Sequence, residues 1–249
     1  MTSSNIGTPH AFTTRIGGVS GGVFASLNLS AGVGDDFAAV RENYAILRRA
    51  LGMTAGIFTC SKQVHGANIR IAEKEERGEP PPPPDIGADG MITCETGLAL
   101  MVFTADCVPI LLHDPVRGAI GAVHAGWRGT TAGIAIAAVR AMADAFGCVP
   151  VDIRAAIGPC ISKCCYETDS DVADALRAQL GATAERCIER RGSKYMIDLK
   201  EANRILLEHA GLRDIEVSDE CTSCLSDKYW SHRKTNGLRG SQAAIIELR

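Results

Sequence analysis

The stretch TADCVPILLHDPVRGAIGAVHAGWRG, residues 104–129, sets Cys107, His113 and His124 at the ends of short apolar runs. Thiol and imidazole serve equally as zinc ligands and as nucleophile and base. The short HDPVRG connection allows neighbouring strands to carry Cys107 and His124 to one edge of a sheet. His65 joins them from the turn QVHGAN, where small neighbours let a ligand approach. Two imidazoles and one thiolate suit catalytic zinc, with three protein ligands and a fourth position for water or substrate. The same Cys107–His124 pair also suits a nucleophile with its base. Each residue taken alone reads as a buried cysteine or a hydrogen-bonded core histidine. No short-range signature such as His-Glu-x-x-His is present to decide between them. His113, just ahead of Asp114-Pro115, reads as a turn histidine bonded to a carboxylate and is left outside the set.

The elements that must position these residues follow from patterning. At 249 residues, with 46% hydrophobic and 22% charged residues, the chain suits one soluble domain with a substantial core. A net charge of -3 gives no pull toward nucleic acid or anionic membrane. The longest apolar runs, GLALMVF and VPILL, are too short to span a bilayer. The opening residues lack a signal-peptide pattern, so a cytoplasmic, reducing location is expected, where most of the ten cysteines are small core residues. DDFAAVRENYAILRRALG places Phe37, Val40, Tyr44, Leu47 and Leu51 on one helical face that stops at Gly52. Strands are expected in LALMVFTADC, VPILLHD, GAIGAVHAGW, VDIRAAIGPCIS, DIEVSDECTSC and AAIIELR. A helix is expected over TTAGIAIAAVRAMADAFG, with Thr130 or Thr131 as N-cap and Gly147 as stop. DSDVADALRAQLG and DLKEANRILLEHAG read as amphipathic helices. A charge run and five prolines mark an exposed loop at about 75–88, read as an insertion within one domain, residues 1–249.

TRIGGVSGGVFASLNLS, VGDD, QVHG, DGMITCETGLALMVFTADCVPILL, VHAGWRGTTAGI, AAIGPCIS and CYE occur in the order found in one family. Over nearly the whole chain the sequence resembles the YfiH-like family, long labelled laccase-domain or multicopper polyphenol oxidase proteins. The resemblance implies an α+β fold, a single-domain mixed-sheet α/β sandwich. It also implies one zinc held by the histidine of QVHG, the cysteine of ADC and the histidine of HAGW, here His65, Cys107 and His124. The tail departs from the family pattern at His232 and Lys234, and Tyr44 stands where an arginine commonly follows the helix asparagine.

The implied activity is phosphorolysis of adenosine, inosine, guanosine and methylthioadenosine to base and ribose 1-phosphate, with adenosine deamination as a further reaction. Its partners are purine nucleosides and phosphate. Asp106, beside Cys107, is placed as a proton shuttle or ligand-orienting group, against the plainer reading of a turn hydrogen bond. Arg128, just before an expected helix N-terminus, and Arg15 form a candidate phosphate pair. A four-copper oxidase needs many imidazoles, usually as His-x-His pairs; six histidines and no such pair argue against it, leaving copper only as an occupant of the zinc site. Two other readings stand: a Cys107–His124 hydrolase, for which the resemblance implies cell-wall peptide precursors as substrates, and a non-enzymatic one, a structural zinc site built from CTSC, 221–224, with Cys160, Cys164 and Cys165.

Overall fold

The computed structural model describes residues 1–52, 57–73 and 87–249. A six-stranded mixed sheet and a four-stranded mixed sheet lie face to face, with helices on both outer sides. In the larger sheet, strands run in the order Asp214–Val217, Arg154–Ile157, Val108–Asp114, Ala119–Ala125, Gly90–Thr93, Ile69–Ile71. The smaller sheet runs His10–Phe12, Gln242–Glu247, Leu98–Thr104, Ile57–Thr59.

Strand alternation explains the layering. Leu98, Leu100 and Val102 point into the seam between the sheets, meeting Leu111, Ile120 and Ala122 from the other sheet. The alternate residues Ala99 and Met101 point outward, onto Val40, Tyr44 and Leu47 of the helix Phe37–Leu51. On the far side, Ile110, Leu112 and Val123 meet the helices Ile134–Phe146, Ser170–Leu180 and Leu199–His209. Because both faces of each central strand are covered, these strands read as continuous apolar runs. The α+β sandwich expected from the resemblance is the fold observed.

Three local expectations change. The helix after Trp127 is broken in two, Trp127–Thr131 and Ile134–Phe146, because Gly133 takes a left-handed conformation at φ +79. Neither threonine caps the longer helix: Thr131 Oγ1 donates back to the Trp127 carbonyl, and Thr130 Oγ1 accepts from Asn203. Phe37, expected on the buried face of its helix, is exposed. A small sheet of Ile188–Arg191, Lys194–Ile197 and Glu167–Thr168 has too little apolar alternation to be expected from sequence. Of the proline-rich loop expected at about 75–88, all but Gly87 and Ala88 lie outside the described residues.

Leu111 is fully buried in the seam. Leu111→Ala is expected to lower stability by about 2–5 kcal/mol, read by chemical denaturation. A loss under 1 kcal/mol, on the order of a surface change, would show that the sheets do not depend on that contact.

Candidate active site at the seam edge

Cys107 and His124 meet because of strand register. Val108 pairs with Ala125 and Pro109 with His124 across the antiparallel ladder. Cys107 is two residues from Pro109, so it shares His124's face and is its diagonal neighbour. His65 arrives from the loop between Ile57–Thr59 and Ile69–Ile71, in a left-handed backbone conformation at φ +60. Its ring lies edge-on to His124, centroids 4.9 Å apart. One donor atom from each of His65, Cys107 and His124 lies within 4.8 Å of the others.

Asp89, which precedes the strand Gly90–Thr93, holds this arrangement. Its Oδ1 accepts from the His65 backbone N–H and from His124 Nδ1, both at 2.9 Å. Its Oδ2 accepts from the N–H groups of Val64 and Gly66 at 3.1 and 2.7 Å. Burial opposes charge on this carboxylate, but the bonds from His124, Gly66 and Val64 prevail and lower its pKa. With Nδ1 committed to Asp89, His124 turns Nε2 toward the cluster, the usual way a carboxylate fixes a ligand imidazole. Gly126 closes the other side. A Cβ there would stand 3.0 Å from the His65 ring and 3.2 Å from Cys107 Sγ, so a larger residue would press both ligand side chains out of place by a few tenths of an ångström.

The electrostatics suit a deprotonated thiol. Burial pushes the Cys107 thiol up, yet the His124 and His65 imidazoles outweigh it and bring it down to about 6. Burial likewise disfavours charge on His124, and the Cys107 sulfur and Asp89 carboxylate reverse this, raising it to about 9. Two imidazoles and a low-pKa thiol converging on one point, with the buried ring oriented by a carboxylate, fit a three-ligand zinc site with a free fourth position.

A cavity of about 600 Å³ opens onto the cluster, reached by His65, Cys107 and His124. Leu29, Val33, Phe37 and Phe103 supply apolar wall. The lysine and arginine side chains lining it, among the described residues, are Lys62 and Arg239. Arg239 Nη1 donates to the Gly240 carbonyl and Ser241 Oγ, whereas its Nε is buried without a hydrogen-bond partner among the described residues.

The other sequence candidates do not line the cavity. Arg15 does not line the cavity: it donates to the Ala25 and Ser226 carbonyls and stacks 3.9 Å over Trp230, which occupies the guanidinium structurally. Arg128 is exposed over its neighbour Trp127 and lies inside a one-turn helix rather than ahead of one. Asp106 has φ +90; its carboxylate accepts from Thr222 Oγ1 at 2.6 Å and the Arg233 N–H at 2.7 Å. Both oxygens are thus bonded to the scaffold. His113 is buried at the opposite end of its strand from Cys107, accepting from the Gly7 N–H. Asp89, Lys62 and Arg239 were not among the residues singled out from sequence. For Asp89 the available signal was its place in GADG, directly before a strand paired with the one that carries His124.

The family model described as multi-copper polyphenol oxidoreductase laccase matches residues 9–249. The chain belongs to this family. It is similar to "Purine nucleoside phosphorylase YlmD" of Geobacillus stearothermophilus, at 41% identity over 98% of this chain and 91% of that one. The crystal structure of that YlmD superposes with a TM-score of 0.91, covering 96% of this chain and 91% of the other at 40% identity. A "Purine nucleoside phosphorylase" of Deinococcus radiodurans is 41% identical over 100% of this chain and 92% of its own.

Two substitutions test how the cluster is held. Asp89→Asn keeps the volume but turns an accepting oxygen into a donor facing N–H groups. It is expected to weaken zinc binding about 10- to 100-fold in a competition titration; unchanged affinity would mean that Asp89 does not orient the set. Gly126→Ala is expected to lose the zinc bound by His65, Cys107 and His124 while leaving the circular dichroism spectrum intact. Full zinc retention would show that the cradle tolerates a Cβ.

Proposed function

We propose that the chain is a zinc-dependent purine nucleoside phosphorylase. The observation that carries this reading is the convergence, on one cavity, of an apolar wall, two cations and the His65–Cys107–His124 cluster. The relatives named purine nucleoside phosphorylase, at 41% identity over nearly their full length, support the same class. Adenosine, inosine, guanosine and methylthioadenosine share a purine joined to a ribofuranosyl ring, a group of the size that a cavity of about 600 Å³ can take.

In phosphorolysis a phosphate oxygen bonds to C1′ of the ribose while the C1′–N9 bond breaks. The bonding pair leaves with the purine, which takes up a proton; the products are free base and ribose 1-phosphate. The phosphate dianion must be drawn from water and held beside the sugar. Lys62 and Arg239 are assigned this task, replacing Arg15 and Arg128, because they line the cavity and Arg239 Nε has no other partner among the described residues. The apolar wall of Leu29, Val33, Phe37 and Phe103 takes the purine and excludes water from the reacting bond. Zinc on His65, Cys107 and His124 would supply a Lewis acid beside the charge that develops in the reaction. Asp106 is assigned a positioning role, holding the loop that presents Cys107, since both carboxylate oxygens are already bonded.

A second reading, the Cys107–His124 hydrolase, is favoured by one observation: without metal, a thiolate–imidazolium pair persists between the Cys107 value of about 6 and the His124 value of about 9. Alkylation separates the two. At pH 7.5, roughly midway between these values, zinc-loaded protein is expected to resist iodoacetamide at Cys107, and chelator-stripped protein to react there. Rapid alkylation of fully loaded protein would favour the nucleophile.

The direct assay follows base release from adenosine with and without phosphate, and ammonia release reports deamination. Wild type is expected to release adenine only with phosphate, and Cys107→Ser to lose both the zinc of the His65–Cys107–His124 cluster and turnover. Arg239→Met is expected to raise KM for phosphate roughly 10- to 100-fold, the cost of a lost charged hydrogen bond, with little change in KM for nucleoside. Phosphate-independent turnover, or an unchanged phosphate KM, would contradict the assignment.

A further inference from the structure

A second cluster of soft ligands lies away from the cavity. Cys164 and Cys165, in the loop after Gly158-Pro159, meet Cys221 and Cys224 of the CTSC segment; none of the four lines the cavity. One sulfur from each lies within 4.8 Å of the other three. Three of the separations are 3.7 Å for Cys164–Cys165, 3.6 Å for Cys164–Cys224 and 3.4 Å for Cys165–Cys224. Four sulfurs each about 2.3 Å from a central zinc define a tetrahedron with edges of about 3.8 Å. A disulfide requires about 2.05 Å. The observed spacing therefore matches the edges of a metal tetrahedron and leaves all four thiols free.

The backbone is arranged in keeping with this. The Ser162 N–H donates to Cys221 Sγ at 3.3 Å, and the N–H groups of Ser223 and Cys224, two and three residues on, also face that sulfur. A Cys-x-x-Cys turn wraps one ligand sulfur in this way, so that N–H dipoles offset thiolate charge. Cys160 is excluded from the set: it is fully buried, and its thiol donates to the Ile161 carbonyl.

We propose that Cys164, Cys165, Cys221 and Cys224 form a second, closed zinc site that locks together the two loops supporting Asp106. Binding displaces four thiol protons and leaves no open coordination position, so the site is structural. Its consequence reaches the cavity through named bonds. The Thr222 N–H donates to the Cys160 carbonyl, and the Ile161 N–H to the Asp106 carbonyl, at 3.0 Å each. Thr222 Oγ1 and the Arg233 N–H hold the Asp106 carboxylate, and Arg233 Nη1 donates to the Glu167 carbonyl at 2.9 Å. Cross-linking the loops on either side of these bonds fixes the residue adjoining Cys107. The site coexists with the His65–Cys107–His124 cluster and does not depend on the activity proposed there.

Zinc per chain, measured by plasma mass spectrometry on full-length protein purified under reductant, tests this. Two zinc ions are expected in wild type, one in Cys107→Ser and one in Cys224→Ser, where the substituted residue is exposed. X-ray absorption on Cys107→Ser, which retains only the second site, is expected to show a sulfur-only shell at about 2.3 Å. That spectrum decides the question even if Cys224→Ser fails to fold. Amide exchange at Arg233 is expected to quicken in Cys224→Ser. Zinc-free Cys107→Ser, nitrogen in its zinc shell, or a disulfide among the four cysteines would each overturn the proposal. A wild type with one zinc that Cys224→Ser loses and Cys107→Ser keeps would support this site and overturn the other.

Discussion

The Asp89 carboxylate accepts three consecutive backbone N–H groups, from Val64, His65 and Gly66, and the Nδ1 of His124. Those four bonds tie the His65 turn to the strand Ala119–Ala125, two pieces of chain that share no ladder. The residue is completely buried, and these bonds offset the cost of burying its charge. The Asp89 carbonyl also accepts the His124 N–H at 2.7 Å, fixing the histidine at backbone and ring together. The geometry of the cluster thus rests on one side chain that is not itself among the three candidate ligands.

The sandwich explains why the cluster lies where it does. The seam is filled by Leu100, Leu111, Ile120 and their neighbours, and along its length polar groups would be costly. At the end of Val108–Asp114 and Ala119–Ala125 the seam opens, and the faces that carry Leu111 and Ile120 present Cys107 and His124 instead. Positive φ at His65 and Asp106 marks the two positions where the backbone is bent to bring ligands inward. Each is held by bonds to its surroundings: His65 through its own N–H to Asp89, Asp106 through Thr222, Arg233 and Ile161.

Sequence patterning revealed the apolar strands and the long helices because their periods are local. It also made the convergence of Cys107 and His124 legible, since one short connection joins their strands. Asp89 was hidden because its four partners come from two distant segments, and a lone aspartate before a strand reads as a turn residue. Lys62 and Arg239 were hidden for a related reason: cavity lining depends on which loops the sheets bring together, not on neighbours in sequence. Arg15 illustrates the converse. The sequence pairs it with Arg128 as a candidate for phosphate, yet Trp230, from the far end of the chain, takes its guanidinium. The break at Gly133 is hidden in the sequence because Ala132 before it and the alanines and isoleucines after it continue the helical pattern.

The most direct test is a crystal structure of zinc-loaded protein grown with inosine and phosphate, with anomalous data collected at the zinc edge. The expected map places zinc between His65, Cys107 and His124, the purine against Phe103 and Leu29, and phosphate on Arg239 and Lys62. Zinc absent from the three-residue cluster in fully loaded crystals, or a nucleoside bound away from this cavity, would contradict the assignment.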